Sequence, residues 1–182
     1  MRCIGLLGGM SFEGSAVYYR LINETVRQRL GGLHSADLLL HSVDFQTIVD
    51  LQKFGDWQTA GEVLANTARR LEGAGAQAVL VCAVTMHKVA DRIEDAIGVP
   101  FLHIVDVTAR RLIAAGCRRP LLLATRYTME GDFYPARMRR HAQRPSVACP
   151  PRRDPRPPSP HRPSRWQPGP PWTRRSSRPG PS

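Results

Sequence analysis

Cysteine is scarce in this sequence, with four in 182 residues, and Cys3, Cys82, Cys117 and Cys149 lie far apart. They form no C-x-x-C pair and no Cys/His set at zinc-finger spacing, which argues against a disulfide scaffold or a structural zinc module. The pattern reads as reduced thiols in a cytoplasmic protein. Long apolar runs are also missing, and none approaches the roughly 20 residues that a membrane-spanning helix needs. The opening MRCIGLLGGM is too short for a secretory leader: Gly8-Gly9 interrupts it and Glu13 follows soon after. No Gly-Lys-Ser or Gly-Lys-Thr occurs, which excludes a phosphate-binding loop of that type. GLLGGM lacks the full G-x-G-x-x-G, and no acid ends the second strand, so a dinucleotide fingerprint is not expected either.

Proline and positive charge are present, but at one end. Residues 144–182 hold thirteen of the sixteen prolines and nine of the twenty-six basic residues, against the single acid Asp154. That stretch carries +8 of the formal +11, leaving +3 for residues 1–143, a balance that points to no nucleic-acid partner for the folded part. It has neither helical nor strand periodicity and is expected to be disordered or polyproline-like. Three readings of it stand open. It is a shifted-frame product of a GC-rich gene, a basic tail whose arginines act with Trp166 and Trp172 on nucleic acid or acidic surfaces, or a proline-rich ligand.

Up to residue 143, short apolar runs alternate with longer amphipathic ones, the pattern of an α/β fold with a parallel sheet flanked by helices. Strands are predicted at Cys3–Leu7, Asp37–His41, Ala78–Cys82, Phe101–Ile104 and Leu121–Thr125. Tyr18, Ile22, Val26 and Leu30 recur at helical spacing before Gly31-Gly32. Further helices are predicted at Trp57–Leu71, Val89–Ile97, Val107–Ala115 and Met129–His141, with a short one carrying Leu51 and Gln52.

Ligands of open parallel sheets bind beyond the carboxyl ends of the strands. Three segments reach that edge. In GGMSFEG, the glycines let backbone approach a ligand and Ser11 can cap the next helix. The second is SVDF, leading to Gln52, and the third is Cys82-Ala83-Val84-Thr85. Cys82 reads either as a small buried hydrophobe or as a thiol whose thiolate form the following helix start would favour. Thr85 is a helix cap or a hydroxyl donor to a ligand. His87 and Lys88 suit a solvated first turn, His103 a hydrogen-bonded core histidine, and Cys3 and Cys117 structural positions.

The strings GLLGGMS, YYRLINE, LHSADLLLHSVDF, CAVTMHKVAD, PFLHIVDVTA and ATRYTMEGDFY occur in this order across residues 1 to about 140, and together they resemble the aspartate/glutamate racemase family. The resemblance implies two similar α/β domains with the active site between them, no cofactor, and α-proton transfer on aspartate or glutamate by two cysteines on opposite faces of the α-carbon. It further implies that Cys82 is one of these cysteines and that Met10, Ser11, Gln52, Ala83, Val84 and Thr85 line the substrate site. A small acidic amino acid is then the ligand, a homodimer the common assembly, and the cytoplasm the location.

The implied organisation is a first domain at 1–105, the start of an incomplete second domain at 106–143, and the basic tail at 144–182. An unfinished second sheet would expose strand edges and favour association. Two departures from the family pattern are visible. Val84 stands where the family has Asn, which leaves a polar ligand group without a partner at a cost of about 1–3 kcal/mol. The Gly-Cys-Thr-Glu segment that carries the second cysteine has no match: Cys149, in SVACPP, and Cys117 lie in the wrong contexts. One thiol can exchange a proton on one face but cannot invert the centre without a second base. The competing class is an inactive homologue that binds dicarboxylates, or a protein that binds nucleic acid through the basic tail.

Overall fold

A computed structural model describes residues 1–142 of the chain. Three parallel strands form the sheet: β1 (Ile4–Gly8), β2 (Leu38–Ser42) and β3 (Val79–Val81), in the order β2-β1-β3. Ile4 to Gly8 register against Leu38 to Ser42, and Gly5 to Leu7 against Val79 to Val81. A parallel strand flanked on both sides has no solvent face, so β1 needs no polar alternation, and Leu6 and Leu7 are fully buried.

Seven helices accompany the sheet among the described residues: α1 (Phe12–Leu30), α2 (Phe45–Phe54), α3 (Trp57–Gly73), α4 (Ala90–Glu94), α5 (Ile104–Ala114), α6 (Arg126–Met129) and α7 (Phe133–Ala142). Helix α3 lays Ala60, Leu64, Ala68 and Leu71 on one stripe against the sheet, the three-to-four spacing of a core-facing helix. With Ile48, Val79, Val81, Met86 and Ile93 they make the core. Each large aliphatic side chain buried there contributes about 1.5–3 kcal/mol. The break between α2 and α3 is written in FGDW. Gly55 takes the left-handed C-cap position at φ 72°, and the Asp56 carboxylate accepts the Thr59 N–H at 2.9 Å to start the next helix.

Several expectations need correction. Phe101–Ile104 is not a strand: Phe101 makes one isolated bridge to Val79, and His103 then caps α5, its Nδ1 accepting the Val105 N–H at 3.2 Å. Leu121–Thr125 is irregular, since no strand among the described residues pairs with it, and Leu121 and Leu123 are 82% and 80% exposed. The helix predicted at Val89–Ile97 is a 3-10 turn at Thr85–Val89 followed by the single turn of α4. That predicted at Met129–His141 is divided by Gly131 into α6 and α7. The expectations for residues 144–182, Cys149 included, lie outside the described residues.

Helix α7 is tied to the rest by a polar cluster. Arg137 donates from Nε and Nη2 to both oxygens of Asp106 at 2.8 Å and reaches Glu94 at 3.0 Å, while His141 Nε2 lies 2.8 Å from Asp106. The Arg137 hydrogen bonds hold the Asp106 carboxyl far below the usual carboxylate range. Among the described residues, no helix is long and apolar enough to cross a membrane.

Candidate active site

All three strands end at the same edge, and the loops leaving them converge on one cleft of about 550 Å³. The first loop is Gly8-Gly9-Met10-Ser11. Gly9 sits at φ +92°, a region L side chains rarely adopt, and a Cβ there would strike the backbone of Val43. Gly8 has no room for a side chain either, because a Cβ would meet Ser15 Oγ at 2.6 Å. The paired glycines thus let β1 turn tightly between the β2 loop and α1. Ser11 occupies the N-cap of α1, but its hydroxyl makes no capping bond. The nearby structural hydroxyl is that of Ser15, which accepts the Gly9 N–H at 2.9 Å and donates to the Ser11 carbonyl at 3.0 Å.

The third loop follows β3. The Cys82 N–H donates to the Leu7 carbonyl at 2.9 Å, extending the sheet pairing by one residue and fixing the thiol at the cleft. Met10, Ser11, Gln52, Cys82, Ala83, Val84 and Thr85, the residues picked out in the sequence, all line this cleft. Cys82 is 7% exposed, and burial pushes its thiol up to about 11, partly opposed by the Ser15 hydroxyl. Of the two readings of Cys82, this favours the small buried thiol over the helix-activated thiolate. The thiol is desolvated, and the element after it is a short 3-10 turn that begins three residues later, too small and too distant to supply a strong dipole.

Thr85 does not cap that turn. Its hydroxyl lies 2.8 Å from Thr125 Oγ1 and 3.0 Å from Thr128 Oγ1, and those two are 3.2 Å apart. Three hydroxyls in mutual contact have three protons to donate and lone pairs to spare, so the triangle can turn one O–H toward a ligand oxygen. Thr125 and Thr128 went unnoticed in the sequence, where a threonine in a non-periodic loop carries no signal and its partner is some 40 residues away. Gln52 donates to the Met86 sulfur at 3.0 Å, a weak acceptor that a ligand oxygen would readily replace. Arg126 is the charged side chain among those lining the cleft, beside Phe45, Leu123 and Tyr127.

His87 is not in a solvated turn. It is 2% exposed, with Nδ1 3.0 Å from the Ala83 carbonyl and Nε2 accepting the Ile104 N–H at 3.3 Å. Both contacts are satisfied at once by a neutral ring protonated on Nδ1, and burial lowers its pKa to about 4. The ring therefore fastens the Cys82 loop to the start of α5. Lys88, its neighbour, places Nζ 3.9 Å over the Trp57 ring. Among the described residues, no three His, Cys, Asp or Glu side chains are grouped to hold a metal.

An open parallel sheet here carries a thiol, an amide and clustered hydroxyls at its carboxyl edge, the edge at which ligands of such sheets bind. The chain belongs to the Asp/Glu/hydantoin racemase family, whose profile matches residues 7–155. A candidate Asp/Glu racemase from Yersinia pestis is 54% identical, with a TM-score of 0.73 over 76% of this chain and 60% of that one. An aspartate racemase homologue from Pyrococcus horikoshii OT3 is 31% identical, with a TM-score of 0.70 over 78% of this chain and 62% of that one. An aspartate racemase from Picrophilus torridus, 18% identical, shares the fold with a TM-score of 0.64 over 78% of this chain and 60% of that one. The chain thus spans about 60% of the length of these solved relatives.

Proposed function

We propose that this chain carries one half of a cofactor-independent amino-acid racemase site, in which Cys82 exchanges the α-proton of aspartate or glutamate on one face. The observation that supports this best is the position of Cys82: a buried thiol at the end of β3, in a cleft whose other walls are hydroxyl and amide donors. Ser11, Gln52 and the Thr85–Thr125–Thr128 triangle can donate to substrate carboxylates, and Arg126 adds one positive charge at the rim.

A thiol held up to about 11 is protonated at rest, so Cys82 starts as the acid that returns a proton to the α-carbon. In the reverse direction its thiolate is a strong base, and the substrate ammonium entering the cleft would stabilise it by charge. Inversion needs a second base on the opposite face. Among the described residues Cys82 is the one thiol in the cleft: Cys3 precedes β1, at the other end of the sheet, and Cys117 lines a separate groove between α5 and α7. That base would therefore come from beyond residue 142 or from a second molecule.

The test is proton NMR of the folded protein in D2O with L- and D-aspartate and glutamate, following α-proton loss and chirality together. Exchange that disappears in Cys82→Ser is the expected result. Binding of these amino acids with no exchange by the unsubstituted chain would refute catalysis and leave a ligand-binding homologue.

A further inference from the structure

The two faces of the sheet are not covered equally. A Cβ on Gly5 would touch Leu71 and Ala76, which puts Leu7, Val79 and Val81 on the α3 side, and all three are buried. A Cβ on Gly8 would instead meet Ser15 of α1, so alternation places Leu6, Leu40 and Leu80 on the α1 side. Leu6 is closed over, but Leu80 is only part-buried and Leu40 is 46% exposed. A parallel sheet ordinarily has both faces covered, and this one is short of cover on the α1 side. Helix α1 is itself under-packed. Val17 and Leu21 are 45% and 50% exposed, and with Tyr18, Ile22, Thr25 and Val26 they line an open groove of about 560 Å³.

The edge of that groove says what fits it. Glu13, Arg20, Glu24 and Arg27 lie seven, four and three residues apart, hence on one stripe of the helix, and they alternate in sign beside Val17 and Leu21. All four are exposed, and Arg20 and Glu24 approach each other at 3.7 Å. Read in reverse, the stripe runs base, acid, base, acid. An antiparallel copy therefore sets Glu13 against the partner's Arg27 and Arg20 against the partner's Glu24, whereas a parallel copy would set like against like.

We propose that this face docks a second copy of the chain: two α1 helices pack antiparallel about a two-fold axis, groove against groove, with the charged stripes paired at the rim. Such a contact is isologous and closes on itself. Helix α1 is about 28 Å long and about 10 Å wide, so the interface belongs to the small, weak class. The other exposed apolar stretch, at Leu121 and Leu123, is flanked by Arg118, Arg119 and Arg126, like charges that oppose pairing of two copies there. The pairing is independent of what Cys82 does.

The experiment is sedimentation equilibrium of the full chain from about 1 to 100 μM, the range of a weak interface, in which the mass should move from 20.3 kDa toward twice that value. Arg20→Glu with Arg27→Glu makes the stripe wholly acidic, and Glu13→Arg with Glu24→Arg makes it wholly basic. Each double variant alone should stay at the monomer mass, and an equimolar mixture of the two should regain the dimer, which also shows that both are folded. Leu121→Ser with Leu123→Ser should dimerise like the unsubstituted chain. An unsubstituted chain that stays monomeric throughout overturns the proposal, as do stripe variants that dimerise alone or a mixture that fails to. Loss of the dimer on substituting Leu121 and Leu123 would move the contact to the unfinished second sheet and overturn it as well. So would a mass that climbs past two copies, because a two-fold contact leaves no free face to add a third.

Discussion

Acid should weaken this fold well before its carboxylates are protonated, and the reason is His87. In the unfolded chain a histidine takes up a proton near pH 6.5. In the native structure, burial and the two backbone bonds keep the ring neutral until about 4. Between those values the unfolded state binds the extra proton, so stability contributed by the neutral ring is complete above pH 6.5 and is lost as the pH falls toward 4. The span is between two and three pKa units, which at about 1.4 kcal/mol per unit is about 3 kcal/mol.

His103, whose ring centroid lies 4.6 Å from that of His87, is lowered by burial to about 3 and pushes in the same direction. Asp106, Arg137 and His141 face the pair, but Asp106 begins to bind a proton only at far lower pH. The assay is urea unfolding at pH 7.5, 6.5, 5.5 and 4.5. The unsubstituted chain should lose stability steadily across that window, while His87→Gln should start lower and decline less steeply, by about 3 kcal/mol in total. Parallel profiles for the two proteins would refute the argument.

Gly9→Ala should be among the most damaging loop substitutions, because φ +92° and the Val43 backbone both oppose a Cβ at this buried position; a loss of at least about 1–3 kcal/mol in urea unfolding is expected. Arg137→Met leaves the part-buried Asp106 with only His141 beside it, and a cost of about 2 kcal/mol with faster proteolysis within α7 should follow, largest above pH 5 where the carboxylate is charged. A variant as protease-resistant as the parent would show that α7 is held by apolar contacts alone.

The sheet was legible in the sequence because its strands are short unbroken apolar runs, and a parallel strand packed on both faces leaves that mark and little else. The cleft residues were legible for a related reason. A loop that leaves a strand's carboxyl end has few places to go, so Met10, Ser11, Gln52 and Cys82 to Thr85 meet at one edge. What the sequence hides is the outcome of competition between local forces. Ser11 and Thr85 looked like caps, yet Ser15 and two distant threonines make the bonds that matter locally. The sequence left Cys82 open between a buried thiol and one activated by a helix start, and desolvation decides for the first. His87 looked solvated because a 3-10 turn has no periodicity that distinguishes its inner from its outer face. Leu121–Thr125 has a strand's composition, but a strand exists only where a neighbour supplies the ladder.

The strand order also sets a schedule for synthesis. The central strand is made first, and its second neighbour pairs Gly5 with Val79, more than seventy residues later. At about 5–20 residues per second, the ribosome takes roughly 4–15 s to deliver that partner. Through that interval Leu6 and Leu7, fully buried in the finished protein, have at most one strand beside them. The nascent chain therefore passes through seconds in which these apolar side chains lack the second wall of the sheet that later buries them.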